Sequence, residues 1–139
     1  MQQQISVLTL GIADLARSKR FYVEGFGWTP VFENEDIVFY QMNGFVLGTW
    51  LETSLSTDIG RKFVRPGPYA MGHNVPERDD VQPTMDLLIK AGGRLLKAPI
   101  EPPHGGFTGY VADPDDHAWE IAWNPAWAIS PDGHVRFSI

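Results

Sequence analysis

The stretch YVADPDDHAWEIAW, from Tyr110 to Trp123, contains two apolar segments on either side of an Asp-Pro-Asp-Asp turn. Proline and aspartate favour turn backbone, and the β-branched and aromatic residues around them predict strands over 108–112 and 118–123. Glu120 is the only carboxylate in the second strand. It lies either on a solvated sheet face or in a pocket, as a metal ligand or general base, and this stretch leaves both interpretations open.

The N-terminal part of the chain predicts one βαβββ unit. A short apolar run predicts a strand over 5–12, after which Asp14 is typical of a helix N-cap. The helix is expected to end near Gly25 or Gly27, where glycine can adopt left-handed backbone. Three β-rich segments follow, over 28–32, 37–41 and 45–50. Asn43-Gly44 predicts a hairpin between the last two.

The same order of elements occurs again after residue 68. A strand over 69–75 precedes a helix that begins at Asp79-Asp80 and ends at Gly92-Gly93. Strands are predicted over 94–98, 108–112 and 118–123. A repeated unit predicts a pseudo-twofold fold.

The fold class predicted from this repeat is α+β, with two βαβββ modules forming a cup-shaped, curved mixed sheet and helices on its convex face. We expect a single domain over 1–139, with module one at 5–51 and module two at 69–127. Residues 52–68 contain serine, threonine, glycine and proline, and are interpreted as a linker that either connects the modules or covers the cup. The tail, 128–139, is expected to pack along a surface or a dimer partner.

Composition excludes several classes of partner. The net charge of −6 and pI of about 5.0 argue against nucleic acid and anionic membranes, which need a basic surface, and favour a neutral or cationic small molecule. The chain has no cysteine and hence no thiol nucleophile or thiolate metal site. It has neither a signal peptide nor an apolar run long enough to span a membrane, so a cytoplasmic location is expected.

Two stretches carry a resemblance to a known family: VLTLGIADLARSKRFYVEGFGW, 7–28, and GGFTGYVADPDDHAWEIAW, 105–123. In these stretches the chain resembles the vicinal oxygen chelate superfamily, which includes glyoxalase I, extradiol dioxygenases and bleomycin-resistance proteins. The resemblance extends from about Ile5 to Trp127. It implies the paired-module fold and a homodimer.

In the metal-using members that the chain resembles, the first and last strands of each module supply the metal ligands. Carried over by position, these ligands fall on Val7, Leu47, Ala70 and Glu120. Only Glu120 can bind a cation, and one carboxylate does not hold a divalent ion. We therefore predict no metal and no cofactor.

The alternation of strand residues outlines a pocket. Glu120 is expected to face either a ligand or ordered water, or to be a hydrogen-bonded structural carboxylate. Ring faces near a ligand can stack on a flat or cationic group. The residues predicted to bind ligand are Thr9, Phe39, Phe45, Leu47, Thr49, Asn74, Phe107, Tyr110 and Glu120.

Four histidines offer further chemistry. His104, in the loop before Phe107, is the best catalytic candidate, because it could act as a base together with Glu120. His73 is expected on the helix side as a core or interface residue, and His117 is expected to brace the Asp-Pro-Asp-Asp turn. His134 lies in the tail, where nothing is expected to organise it.

The sequence thus predicts a metal-free protein that binds or sequesters an apolar or aromatic small molecule. The alternative is a metal-dependent lyase, isomerase or dioxygenase that uses Glu120 as base or ligand, with His104 as partner. A structural dimer with a vestigial pocket is a third possibility.

Overall fold

The fold was described from a computed structural model, which covers residues 1–62, 66–67, 69–103 and 105–137. Its elements repeat one unit twice, which confirms the α+β class. Module one contains β1 (Val7–Ile12), α1 (Leu15–Arg20, continued by the π-helical turn Phe21–Gly25), β2 (Pro30–Glu33), β3 (Ile37–Gln41) and β4 (Val46–Leu51). After α2 (Glu52–Ile59), module two contains β5 (Met71–Asn74), a 3₁₀ turn (Arg78–Asp80), α3 (Val81–Lys90), β6 (Arg94–Ile100), β7 (Phe107–Ala112) and β8 (Ala118–Trp123).

The two modules have the same sheet topology. Their four-stranded sheets have the orders β1-β4-β3-β2 and β5-β8-β7-β6. In each, the first strand of the module runs parallel to its last strand, and the remaining pairs are antiparallel. The mixed sheets and their matching strand order follow the internal repeat that the sequence predicted.

The hydrophobic core lies between the sheets and the helices. Leu10, Tyr22, Leu88, Val111 and Ile121 are all almost fully buried in it. The two modules meet where the π-helical turn after α1 packs on α3. A Cβ at Gly25 would lie 3.0 Å from Leu88 Cδ2, so the small residue permits this close approach. Each sheet therefore has a helix face, which packs into this core, and an open face, which points away from it.

The turn between β7 and β8 fixes the start of α1. Asp14 is the N-cap, as predicted, and its carboxylate accepts a hydrogen bond from the Arg17 backbone N–H at 2.7 Å. From the other module, Asp115 Oδ1 accepts from the Ala13 N–H at 2.9 Å and from the Arg17 guanidinium at 2.6 Å. Module two thus completes the hydrogen bonding of the first helix of module one.

A buried polar network braces the same turn. Asp113 Oδ1 accepts from the His117 N–H at 2.9 Å, and its Oδ2 accepts from the Tyr22 hydroxyl at 2.7 Å. His117 Nε2 donates to the Gly11 carbonyl at 2.8 Å, which leaves Nδ1 to accept from the Tyr69 hydroxyl at 3.0 Å. The predicted bracing role of His117 is confirmed, and the network also joins β1 to module two.

The interpretation of residues 52–68 as a linker without secondary structure is wrong for its first half. Residues Glu52–Ile59 form α2, which has no buried residue. Gly60 has a left-handed φ of 72° and ends this helix. No helix among the described residues has both the length and the apolar composition that crossing a membrane requires.

The tail forms a hairpin of two short strands, β9 (Trp127–Ile129) and β10 (Val135–Phe137). Its Pro-Asp-Gly turn contains Gly133 at a φ of 81°, and the Gly133 N–H donates to the Ser130 carbonyl at 2.8 Å. His134 is organised here, contrary to expectation, because its Nδ1 pairs with Asp132 Oδ2 at 3.0 Å.

Candidate ligand-binding site

Glu120 lies on the open face of the second sheet, between cross-strand neighbours. Gly72 on β5 and Tyr110 on β7 are in register with it. Thr108 donates its hydroxyl to Glu120 Oε1 at 2.9 Å, while a Cβ at Gly72 would lie 3.9 Å from Oε2. The partly buried carboxylate is therefore held from one side and has space on the other. We name the surface formed by Gly72, Thr108, Tyr110 and Glu120 the Glu120 face.

The same carboxylate affects the pKa of the Tyr110 hydroxyl. Burial raises the pKa of Tyr110, and the negative charge and hydrogen bonding of Glu120 raise it further. Tyr110 therefore stays a neutral hydroxyl at neutral pH and can donate a hydrogen bond. The Glu120 face combines a carboxylate with two hydroxyls, a set that suits a neutral or cationic group with hydrogens to donate.

The equivalent place in module one has different chemistry. Thr9 pairs with Gly48 across β1 and β4. A Cβ at Gly48 would lie 3.0 Å from Phe39 Cε1 and 3.6 Å from Thr9 Oγ1. An aromatic ring thus lies over the position that a carboxylate occupies in module two. The predicted ligand residues Thr9 and Phe39 lie together, but on a different sheet from Glu120.

Comparison with known proteins agrees with this architecture. The model of the glyoxalase/bleomycin resistance protein/dioxygenase superfamily matches residues 4–121. The chain belongs to this superfamily. Among solved structures, a glyoxalase-related enzyme from Fulvimarina pelagi is similar to this glyoxalase-superfamily protein at 57% identity and a TM-score of 0.97. The match covers 99% of this chain and 100% of that one.

Two further relatives are named for resistance or transferase functions. The metallothiol transferase FosB of Shouchella clausii is 26% identical over 124 residues, which are 87% of this chain and 80% of that protein. The fosfomycin resistance protein FosX of Listeria monocytogenes has a TM-score of 0.70 at 18% identity, covering 89% of this chain and 95% of that one. The second likeness is one of fold alone.

The residues at the superfamily's metal positions do not fit a metal. The strand registers pair Gly48 with Thr9 and Glu120 with Gly72, so Gly48 is the counterpart of Glu120. The prediction of Leu47 for this position is wrong by one residue, because it matched Trp50 to Trp123, whereas the registers match Trp50 to Ala122. Neither Gly48 nor the first-strand residues Val7 and Ala70 offer a ligand atom.

A search for other metal-binding groups among the described residues gives no candidate. No three histidine, aspartate or glutamate side chains within that part of the chain come together as a possible ligand set. His104, predicted as the catalytic partner of Glu120, lies outside the described residues. Glu120 therefore stands without the ligands that the metal-using members supply.

Several predicted ligand residues lie on the helix face instead of beside Glu120. Leu47 and Thr49 are 1% and 0% exposed. Their partners on β1 are Leu8 and Leu10, which lie on the core side of the sheet. A one-residue slip moves every side chain of a strand to the opposite face, which explains the error. The Thr49 hydroxyl has no hydrogen-bond partner among the described residues.

The prediction for Phe107 is also wrong. Phe107 packs against the core of module two, and the Arg78 guanidinium lies 4.1 Å from its ring centroid. This geometry is a cation–π contact on the helix side of the sheet. Of the predicted aromatic residues, only Tyr110 lies beside Glu120.

A cavity of about 920 Å³ lies between the modules; the strands line it chiefly with helix-face side chains, and Gly72 of the Glu120 face and Asn74 also border it. We name it the intermodule cavity. Leu8, Tyr40 and Leu47 line it from module one, and Met71, His73 and Trp119 line it from module two. The tail hairpin contributes Ile129, Gly133, His134 and Val135.

Three of the predicted ligand residues, Phe45, Leu47 and Asn74, line this intermodule cavity. His73 is on the helix side, as predicted, but sequence reasoning missed that it faces a cavity. Its ring centroid lies 5.2 Å from Phe26 and 6.4 Å from Trp28, both in edge contacts. Since the cavity arises where two modules and the tail meet, no local sequence signal marks it.

Proposed function

We propose that this glyoxalase-superfamily protein binds a small molecule at the Glu120 face without a bound metal. The observation that carries the proposal is the pairing of a retained, hydrogen-bonded Glu120 with Val7, Gly48 and Ala70 at the other ligand positions. A carboxylate that is not bound to a metal is free to accept hydrogen bonds from a ligand.

The chemistry of the face favours a neutral or cationic ligand. Glu120 brings a negative charge, and the flanking Thr108 and Tyr110 hydroxyls can orient a polar group. The chain as a whole carries a net charge of −6, so an anion would meet unfavourable potential. An amine, amide or protonated ring nitrogen would meet favourable potential and an acceptor.

A homodimer would give this site the walls that one chain does not provide. Module one presents apolar side chains on its open face, with Val7 51% and Phe32 50% exposed, and Phe39 lies 5.7 Å from the Phe32 ring. Exposed apolar surface of this kind favours association. In the proposed dimer, module one of each copy covers the Glu120 face of the other, which makes the contact self-complementary.

The decisive test is metal content after attempted reconstitution with nickel, zinc, manganese and iron(II), measured by inductively coupled plasma mass spectrometry. We expect far less than one ion per chain, and the same content in the Glu120→Gln variant. Ligands would then be sought by thermal shift with amine- and amide-bearing aromatic compounds, and hits should be lost in that variant. Stoichiometric metal that depends on Glu120 would overturn the proposal.

The names of two relatives favour an enzymatic alternative, since one is a glyoxalase-related enzyme and another a metallothiol transferase. In that case Glu120 would act as a general base or ligand, as in lyases, isomerases and dioxygenases of the superfamily. Turnover of a thiol-conjugation or lyase substrate that disappears in Glu120→Gln would support this alternative over binding alone.

A further inference from the structure

The intermodule cavity lacks formal charge. None of its lining residues, all within the described part of the chain, is an aspartate, glutamate, lysine or arginine. By contrast, 20% of the whole sequence is charged. Desolvating an ion in such surroundings is costly, and the Asp132 carboxylate beside the lining is already paired with His134 at 3.0 Å. The cavity therefore selects against charged ligands.

Aromatic and flexible apolar side chains form most of its wall. Trp28, Tyr40 and Phe45 line it from module one, and Trp119 lines it from module two. Trp28 and Trp119 are in an edge arrangement with centroids 5.6 Å apart, and the flexible side chains of Met42 and Met71 lie nearby. Rings and thioethers of this kind favour contact with a flat aromatic body.

Two polar side chains, Tyr40 and His73, lie in the wall. The Tyr40 hydroxyl is buried without a hydrogen bond, and His73, which is only partly buried, makes edge contacts with Phe26 and Trp28. Burial lowers the pKa of His73, so its imidazole is neutral at neutral pH and offers one donor and one acceptor. The partly exposed His73 imidazole can therefore exchange a hydrogen bond with a ligand hydroxyl or amide in the cavity.

We propose that the intermodule cavity is a second binding site, which takes a neutral, flat aromatic molecule carrying a hydroxyl or an amide. Its volume of about 920 Å³ falls in the range of small-molecule pockets. The site does not use the Glu120 side chain, because of the four residues of the Glu120 face only Gly72 lines the cavity. The proposal therefore stands or falls separately from the function proposed for the Glu120 face.

The chain offers a built-in reporter for this site. Of its four methionines, Met42 and Met71 line the cavity, while Met85 is buried in the core and Met1 is at the exposed N-terminus. With ¹³C-methyl methionine labelling, titration with 2-naphthol should shift the Met42 and Met71 signals saturably and leave Met1 unchanged. The probe's two rings match the aromatic wall, and its hydroxyl matches His73.

Charged analogues of the same size test the selectivity. 2-Naphthoate is an anion and 2-naphthylmethylamine a cation at neutral pH, and both should bind at least roughly tenfold more weakly than 2-naphthol. Equal binding of either ion, or no saturable shift of Met42 and Met71 with 2-naphthol, would overturn the proposal. This comparison uses the unaltered chain and so does not depend on any variant folding.

Variants locate the polar contact. His73→Phe keeps the ring contacts but removes both nitrogens, and should weaken 2-naphthol binding roughly tenfold. His73→Gln retains a donor and an acceptor and should recover part of the affinity. Unchanged affinity in His73→Phe would contradict the role given to the imidazole.

Glu120→Gln serves as the matched control and should leave 2-naphthol affinity unchanged. Loss of the Met42 and Met71 shifts in Glu120→Gln, with His73→Phe unaffected, would place the probe's binding at the Glu120 face and overturn a separate site. Failure of the cavity proposal alone would appear as no methyl shift in any variant while amine or amide ligands still respond to Glu120→Gln.

Discussion

The Glu120 face and the intermodule cavity share only Gly72, and they differ in what they provide. The first has a carboxylate and two hydroxyls but little wall around them. The second has walls from both modules and the tail hairpin but no charged residue. Glu120 can carry a charge because it is only partly buried and water reaches its carboxylate.

Truncating one residue on each face of module one should give the largest contrast. Leu47→Ala removes a fully buried side chain and should lower the free energy of unfolding by about 2–5 kcal/mol. Val7→Ala, on the exposed open face, should cost less than about 1 kcal/mol. Urea unfolding of both variants measures the difference. Equal losses would show that Leu47 does not lie in the core, and would restore its predicted place beside Glu120.

Glycines on the two faces of module two sharpen the comparison. In Gly109→Ala the new Cβ would meet Met85 Sδ at 2.6 Å on the helix face, which predicts a loss of about 1–3 kcal/mol. In Gly72→Ala its nearest neighbour would be Glu120 Oε2 at 3.9 Å, so stability should change by less than about 0.5 kcal/mol. Thermal unfolding of the pair tests this. A destabilised Gly72→Ala would indicate that the Glu120 face is filled by neighbouring groups.

Lowering the pH should destabilise the folded chain through His73, which lines the intermodule cavity and is not part of the Glu120 face. Because burial lowers its pKa in the folded chain, the unfolded chain takes up the proton first as the pH falls. The contribution of neutral His73 to the free energy of unfolding is complete above the pKa of about 6.5 that histidine has in the unfolded chain. It is lost as the pH falls toward the pKa of His73 in the folded chain.

The His73→Phe variant should therefore lose less stability than the unaltered chain between about pH 7 and pH 5, as measured by urea unfolding at both values. Identical acid sensitivity in the two proteins would contradict a partly buried, neutral His73.

The smallest effect is expected at Tyr110. Glu120→Gln removes the charge that contributes to its raised pKa, so that pKa should fall, while burial still keeps it above the ordinary value. Titration of the tyrosine ring carbon followed by NMR measures the shift. The global stability should change little, because Glu120 is only partly buried. An unchanged Tyr110 pKa would mean that the two side chains do not interact.

Much of the fold could be predicted because its signals are local. Asp14 caps α1, the apolar periodicity marks α3, and the Asp-Pro-Asp-Asp turn separates β7 from β8. The helix α2 was missed because the serine, threonine, glycine and proline content of residues 52–68 is typical of a linker.

The candidate sites were harder to predict, because they depend on register and on packing between modules. Glu120 was recognised from a single out-of-place charge, but its counterpart was placed on Leu47 instead of Gly48 by matching two tryptophans. The strand registers correct this error. The intermodule cavity is lined by residues distant in sequence, from Leu8 to Val135. No local sequence pattern predicts that these residues come together.

The contact between Ala13 and Asp115 spans 102 residues of sequence. During synthesis on the ribosome, α1 emerges long before Asp115, whose carboxylate accepts a hydrogen bond from the Ala13 N–H just before this helix. Module one is therefore left incomplete until the last third of the chain is made, and a gene fragment that encodes it alone would lack this contact. The two halves repeat one architecture, yet the first half completes the hydrogen bonding at its first helix only when the second half is present.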